Sequence, residues 1–142
     1  MKVLLDTNII IDIALERQPF FAESEQVLIF VEQGRIKGYI SASTFGDLYY
    51  IIRRDKGRDM ALEFLSNIAT ICQVATVDGA AITMALTANF RDFEDAIQYS
   101  TARVNQLEAI VTRDIADFPV STPRILTPAQ LIQELTNSQQ TD

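Results

Sequence analysis

The sequence contains no histidine and no tryptophan, and it has only one cysteine among its 142 residues. A single cysteine excludes a disulfide within the chain. The absence of histidine excludes zinc sites that rely on histidine and nucleophiles that depend on a histidine base. Any bound metal would therefore need oxygen ligands, which Mg²⁺, Mn²⁺ and Ca²⁺ prefer. Glycine and proline are also scarce, with five and four residues, and this excludes a collagen-like or low-complexity chain.

Long apolar runs are missing as well. The longest uninterrupted run spans residues 27–31, whereas a membrane-spanning helix needs about 20 apolar residues. Near the N-terminus, Asp6 interrupts the apolar residues before the core of a signal peptide can form. The formal net charge of −7 is unlike the basic surface of most proteins that coat DNA. We therefore expect a soluble, cytoplasmic protein that does not contact a membrane.

Short apolar segments typical of strands alternate with helical patterns along the chain. The strand segments are residues 3–5, 36–40, 71–77 and 109–111. The helical segments are residues 9–15, 20–33, 44–54, 60–68, 79–88 and 92–105. Thr127, Pro128 and Gln130 have the residue types that begin a further helix at its N-cap, N1 and N3 positions.

This alternation predicts a parallel sheet that is covered by helices on both faces. The length of the chain corresponds to one domain, and the sequence has no linker and no repeat. We therefore predict a three-layer α/β/α domain with a central parallel sheet of four to five strands. The domain is expected over residues 1–135, followed by a polar C-terminal tail over residues 136–142.

Four aspartates fall where predicted strands end or where predicted helices begin. Asp6 and Asp114 follow the first and the fourth strand, and Asp47 and Asp95 lie one turn into helices. Because ligands of open α/β sheets bind beyond the carboxyl ends of the strands, we expect the four carboxylates at one rim. Two carboxylates about 5 Å apart repel by about 3 kcal/mol at an effective dielectric constant of about 20. A divalent cation, Mg²⁺ or Mn²⁺, would offset this repulsion, activate water and neutralise charge on a phosphodiester.

Short motifs around these aspartates resemble those of PIN-domain ribonucleases. They are residues 4–8 (Leu-Leu-Asp-Thr-Asn), 41–48 (Ser-Ala-Ser-Thr-Phe-Gly-Asp-Leu), 92–96 (Asp-Phe-Glu-Asp-Ala) and 110–114 (Ile-Val-Thr-Arg-Asp). The resemblance extends over residues 1–135 and implies a PIN-like fold, a metal-dependent endoribonuclease and often a homodimer. Many small bacterial members are VapC-like toxins, which a small antitoxin protein neutralises.

The resemblance also implies roles for the four aspartates. Asp6, Asp95 and Asp114 are the implied metal ligands and catalytic residues, and Asp47 assists them. Asp47 departs from the family pattern, which usually has glutamate at this place. Because aspartate is one methylene shorter, this departure predicts weaker activity or a preference for Mn²⁺ over Mg²⁺.

Three polar residues near the aspartates are candidates for supporting roles. Asn8, Asp92 and Thr112 are expected to orient the carboxylates that bind metal. For Asp92 the alternative is a purely structural role as a helix N-cap.

Basic residues offer candidates for contact with RNA phosphates. Arg53 and Arg54 belong to the densest basic stretch of the chain, and Arg113 is next to Asp114. The alternative for Arg53 and Arg54 is a solvated helix end, where positive charge suits the helix dipole.

The preferred interpretation is a metal-dependent endoribonuclease that hydrolyses RNA phosphodiester bonds, in the manner of the toxin of a toxin–antitoxin pair. The alternative is a degenerate PIN-like module that binds RNA or a partner protein without cleaving. A phosphatase of the aspartyl type is disfavoured, because it requires Asp-x-Asp where this chain has Asp6, Thr7 and Asn8.

Overall fold

A computed structural model describes the backbone of residues 1–141 and the side chains of residues 1–138. The described residues form one sheet, whose strands are β1 (Lys2–Leu5), β2 (Lys37–Ser41), β3 (Gln73–Ala75), β4 (Ala109–Val111) and β5 (Arg124–Leu126). The helices are α1 (Thr7–Ala14), α2 (Phe21–Glu32), α3 (Thr44–Lys56), α4 (Arg58–Ile71), α5 (Gly79–Thr87), α6 (Phe93–Val104) and α7 (Pro128–Thr141). A short 3₁₀ helix, Ile115–Asp117, follows β4.

The strands are all parallel and lie in the order β3-β2-β1-β4-β5. β1 is therefore the central strand, and its Val3 pairs with Gly38 on one side and with Ala109 on the other. Since parallel strands place their carboxyl ends at one edge, the segments that follow β1 and β4 begin side by side. The predicted three-layer α/β/α fold is confirmed.

The two faces of the sheet are packed unequally. Val3 and Leu5 contribute to a large core cluster with α1, α2, α3, α4 and α7, whereas Leu4 contributes to a smaller cluster with α6. Helix α2 packs so closely on β2 that a Cβ at Gly38 would lie 2.8 Å from Val31 Cγ2. Central strands buried on both faces explain the continuous apolar runs in the sequence.

The predicted strand over residues 71–77 is too long. Helix α4 continues through Ile71, and Cys72 ends it by donating its backbone N–H to the carbonyl of Ile68. The β-branched residues around Cys72 suggested a strand. The apolar stripe of α4 continues to this point, however, and packing of that stripe into the core outweighs the strand propensity of these residues. Cys72 is buried.

Helix α7 begins as its first residues predict. Thr127 Oγ1 accepts from the backbone of Gln130, whose side chain accepts from the backbone of Thr127. The helix continues through Thr141, so it includes most residues that we assigned to the tail, and Asp142 lies outside the described residues. The division of the chain at residue 135 stays a prediction. In the described part of the chain, no helix has both the length and the apolar character needed to cross a membrane.

Candidate active site

An open cavity of about 330 Å³ lies beyond the carboxyl ends of β1 and β4. The first turns of α1, α3 and α6 also contribute to its walls. Six acidic side chains line it, namely Asp6, Asp47, Glu94, Asp95, Asp114 and Asp117. The four aspartates that the sequence predicts at one rim are all among them.

Asp6 is the most enclosed of these acids, with a relative exposure of 7%. Its Oδ2 accepts a hydrogen bond from Thr112 Oγ1 at 2.8 Å, and its Oδ1 accepts from Gln98 Nε2 at 3.1 Å and from the Thr7 backbone at 2.9 Å. Burial raises the pKa of Asp6 above its usual value, while these hydrogen bonds lower it and the charge of Asp114 raises it further. The donors thus hold the carboxylate in one orientation and stabilise its charged form.

Asp114 is exposed, and a chain of hydrogen bonds connects it to Asp6. Asn8 Nδ2 donates to Asp114 Oδ2 at 3.3 Å, and the backbone N–H of Asp114 donates to Thr112 Oγ1 at 3.1 Å. Thr112 is fully buried, and its hydroxyl donates onward to Asp6. The structure therefore places Asn8 and Thr112 where a role in orienting the two carboxylates was predicted.

Asp95 lies in the first turn of α6 and is half-buried. Burial raises its pKa to about 7, and the negative charges of Asp6, Asp92, Asp117 and Glu94 add to this shift in that order. Acidic side chains in a cleft with raised pKa values are typical of functional sites.

Asp92 is the N-cap of α6, and its side chain accepts a hydrogen bond from the Asp95 backbone at 3.0 Å. It does not line the cavity. Its contribution to the site is thus its negative charge and the start of the helix that carries Asp95.

Asp47 lies in the first turn of α3 and is exposed where it lines the cavity. Its carboxylate forms no hydrogen bond with the residues that the structure describes. The shorter side chain therefore reaches the cavity without being held there.

Within residues 1–138, no group of three or more acidic or cysteine side chains lies close enough to form a ready-made metal cluster. The acids line one cavity without converging on a point. Their chemistry nevertheless fits a hard divalent cation, because every donor is oxygen and the carboxylates raise each other's pKa. Mg²⁺ is usually held by one or two carboxylates and keeps several waters, so the separation of the acids does not oppose it.

Sequence reasoning missed Gln98, which is buried in the cavity lining and contacts Asp6. Its Nε2 lies within hydrogen-bond distance of Asp6, Thr7 and Thr44, so it connects α6 with α1 and α3. Its Oε1 is buried and has no partner among the described residues. The available signal was its spacing, since Gln98 is three residues after Asp95 and shares its helix face.

The basic candidates lie outside the cavity lining. Arg53 and Arg54 are exposed in the last turns of α3. Arg113 is instead paired with Asp12, a residue that sequence reasoning did not select, through an Nε to Oδ2 distance of 2.6 Å. Contact of these arginines with RNA stays a prediction.

A PIN domain family model matches residues 2–116 of this chain. Ribonuclease VapC1 of Aquifex aeolicus (strain VF5) is 28% identical over 119 residues, which are 80% of this chain and 81% of that protein. The two solved structures that follow are similar in fold. A toxin–antitoxin complex from Klebsiella pneumoniae has a TM-score of 0.68 at 22% identity, covering 89% of this chain and 97% of that chain.

The second structure is VapC20 of Mycobacterium tuberculosis, described as a sarcin–ricin loop cleaving toxin. Its TM-score is 0.62 at 12% identity, covering 76% of this chain and 86% of that chain. The family match extends over most of the chain and includes Asp6, Asp47, Asp95 and Asp114. The chain therefore belongs to the PIN domain family.

Proposed function

We propose that this protein is an endoribonuclease that hydrolyses RNA phosphodiester bonds with the help of Mg²⁺ or Mn²⁺, and that it acts as the toxin of a toxin–antitoxin pair. The observation that carries the proposal is the cavity beyond β1 and β4, which six acidic side chains line in a PIN domain. The name of the Aquifex aeolicus relative, a ribonuclease, supports the same reaction.

Asp6, Asp95 and Asp114 would hold the cation, and Asp47 would assist them. When bound, the cation supplies Lewis acidity that activates water and neutralises charge developing on the phosphodiester. The chain itself orients the carboxylates: Thr112 and Gln98 hold Asp6, and Asn8 holds Asp114. Because these donors are in place before substrate arrives, little reorganisation is needed when RNA binds.

Proton release from Asp95 should accompany cation binding. With a pKa of about 7, the Asp95 carboxyl is about half protonated near neutral pH, and a carboxylate must be deprotonated to ligate a metal. The affinity for Mn²⁺ is therefore expected to rise as the pH increases through about 7.

The substrate is proposed to be single-stranded or loop RNA, whose unstacked bases and backbone are accessible. Arg54 lies seven residues after Asp47, which places it about 10 Å further along α3 and on nearly the same face. Arg54 is thus proposed to contact backbone phosphates that extend from the cavity, and its exposed neighbour Arg53 is proposed to add positive charge beside it. Such contacts would be weakened by salt.

The test is cleavage of a mixed RNA pool by the wild-type protein and by Asp95→Asn, with Mn²⁺, with Mg²⁺ and with EDTA. Cleavage that requires the cation and disappears in Asp95→Asn is the expected result. Asp59→Asn is the matched control, because Asp59 is exposed on α4 and pairs with Arg58 outside the cavity. Cleavage by Asp95→Asn at the wild-type rate would contradict the proposal.

A binding module without cleavage is the second candidate. Two observations favour it. Asp47 stands in place of the usual glutamate and accepts no hydrogen bond from the described residues, and within residues 1–138 no group of acids is close enough to form a ready-made metal cluster. An RNA pool that is bound but not cut with either cation would select this alternative.

We further propose a small antitoxin partner, a homodimer and a cytoplasmic location. The partner is supported by the toxin–antitoxin complex from Klebsiella pneumoniae, whose fold is similar. Several large apolar side chains are exposed and available for such contacts, among them Tyr50, Met60 and Leu86. Light scattering of the purified chain checks the dimer, and a cytoplasmic location follows from action on cellular RNA.

A further inference from the structure

Asp12 is a buried charge that the proposed reaction does not use. Its relative exposure is 0%, it does not line the acidic cavity, and its Oδ1 has no partner among the described residues. Its Oδ2 accepts the Nε–H of Arg113 at 2.6 Å. Burying a carboxylate is costly unless it is paired, so the pair with Arg113 needs a reason in the structure.

The geometry of α1 supplies this reason. Asn8 and Asp12 are four residues apart, so they project from the same face of the helix. Both contact the segment of residues 112–114. Asn8 bonds to the side chains of Thr112 and Asp114 and accepts from the Arg113 backbone at 3.4 Å, while Asp12 bonds to the Arg113 side chain.

The Arg113 side chain is fixed from a second direction. Its guanidinium lies 4.0 Å from the centre of the Phe20 ring, and its relative exposure is 23%. A planar guanidinium stacked on a ring and bonded to a buried carboxylate has little freedom to move.

We propose that Asp12 and Arg113 are positioning residues whose ion pair holds residues 112–114 against α1, and thereby places Asp114 and Thr112 at the acidic cavity. The effect reaches Asp6 as well, because the Thr112 hydroxyl donates to it. The proposal deepens the proposed function and rests on it for the Mn²⁺ and cleavage measurements, but not for hydrogen exchange. It assigns Arg113 to a role inside the protein, instead of the contact with RNA that its sequence position suggests.

The test compares Asp12→Asn, Arg113→Lys and Arg113→Met with the wild-type protein. Arg124→Met is the matched control, since it removes another arginine–carboxylate pair, with Glu134, that lies outside the cavity lining. Mn²⁺ affinity is measured by electron paramagnetic resonance titration. RNA cleavage is separated into kcat and KM, and amide hydrogen exchange is followed at Asp114, whose N–H donates to Thr112.

Asp12→Asn and Arg113→Met are expected to weaken Mn²⁺ affinity by about 10- to 100-fold, as is typical when groups behind metal ligands are changed. They should lower kcat, leave KM for RNA within about twofold, and accelerate exchange at Asp114. Arg113→Lys should lie in between, because lysine keeps the charge but lacks the planar fork. Arg124→Met should behave like the wild type.

Folded variants with wild-type Mn²⁺ affinity and wild-type exchange at Asp114 would overturn the proposal. So would a rise in KM and a smaller salt dependence in Arg113→Met with no change in Asp12→Asn, which is the signature of a phosphate contact. If Arg113→Met does not fold, the double variant Asp12→Leu/Arg113→Met removes the unpaired charge. It should fold and still bind Mn²⁺ weakly, and wild-type affinity in this variant would again contradict the proposal.

Failure of the proposed function gives a different result. If the wild-type protein neither binds Mn²⁺ nor cleaves RNA, the function is wrong, yet hydrogen exchange at Asp114 still decides whether the pair positions the segment. Faster exchange in Asp12→Asn supports the positioning role, and unchanged exchange overturns it.

Discussion

The two sides of the acidic cavity are built differently. We define the strand side as Asp6, Thr112 and Asp114, which follow β1 and β4, and the helix side as Asp47 and Asp95, in the first turns of α3 and α6. On the strand side each carboxylate accepts hydrogen bonds from fixed donors. On the helix side neither carboxylate accepts one from the described residues.

The two sides therefore differ in how the structure accommodates carboxylates that lie close together. On the strand side, hydrogen-bond donors stabilise the charged form of Asp6 and offset part of the rise in pKa that burial causes, although the pKa stays above its usual value. The helix side has no such donors, and Asp95 responds to burial and to neighbouring charges with a pKa of about 7. The strand side thus fixes the orientation of its carboxylates, whereas Asp95 makes the charge of the cavity depend on pH near neutrality.

The largest effect is expected from Asp6→Asn, which should reduce RNA cleavage to background. The substitution neutralises a proposed metal ligand on the strand side while keeping the size of the side chain, and relief of carboxylate repulsion should leave the fold intact. Asp47→Asn on the helix side should retain measurable cleavage. Cleavage rates with Mn²⁺ and circular dichroism of both variants check this, and equal rates for the two would contradict the assisting role of Asp47.

The next effect concerns the ion pair that supports the strand side. Arg113→Met should lower the free energy of unfolding by about 3–5 kcal/mol, because it leaves the buried Asp12 carboxylate without its hydrogen-bonded ion-pair partner. Arg124→Met, which breaks an exposed pair, should cost about 1 kcal/mol or less. Urea unfolding of both variants measures the contrast. Similar losses would show that burial does not distinguish the two pairs.

Thr112→Val tests the donors of the strand side. It keeps the shape of the side chain but leaves a buried oxygen of Asp6 unsatisfied, at an expected cost of about 1–3 kcal/mol. It should also raise the pKa of Asp6 further, since a bond to the charged form is lost. Urea unfolding and NMR titration of the carboxyl carbons check the two effects, and an unchanged Asp6 titration would count against the role of Thr112.

Asp95 should make the free energy of unfolding depend on pH. The pKa of Asp95 is raised from 3.8 to about 7, so the folded protein binds a proton that the unfolded chain releases between these values. The stability that this proton contributes is fully present below pH 4 and is lost as the pH rises through about 7. In Asp95→Asn this part of the slope should be absent. Thermal unfolding between pH 5 and 8 compares the two proteins, and parallel curves would contradict the assignment.

The smallest effect is expected from Asp47→Ala. An exposed carboxylate without a hydrogen bond contributes little to folding, so the free energy of unfolding should change by less than about 0.5 kcal/mol. Urea unfolding measures it. A larger loss would mean that α3 depends on this acid, for example through its charge near the start of the helix.

The main features of this fold could be predicted from local patterns in the sequence. Apolar segments before Asp6 and Asp114 indicate buried strands, and their alternation with helical stripes indicates a parallel sheet. The parallel arrangement then brings the acids that follow the strands to one edge. The strand over residues 71–77 was predicted too long, because β-branched residues around Cys72 fit either a strand or the end of a buried helix.

The sequence thus places four of the cavity's aspartates at one edge of the sheet, since their positions depend on periodicity and on the direction of the strands, which neighbouring residues encode. How each acid is held depends on contacts between distant residues. Gln98 reaches Asp6 across 92 positions, and Arg113 reaches Asp12 across 101. Burial and hydrogen bonding decide the charge and orientation of a carboxylate, and both arise only when separate segments pack together. For this reason the sequence alone does not identify Asp12 and Gln98, whereas it does identify Asp6, Asp47, Asp95 and Asp114.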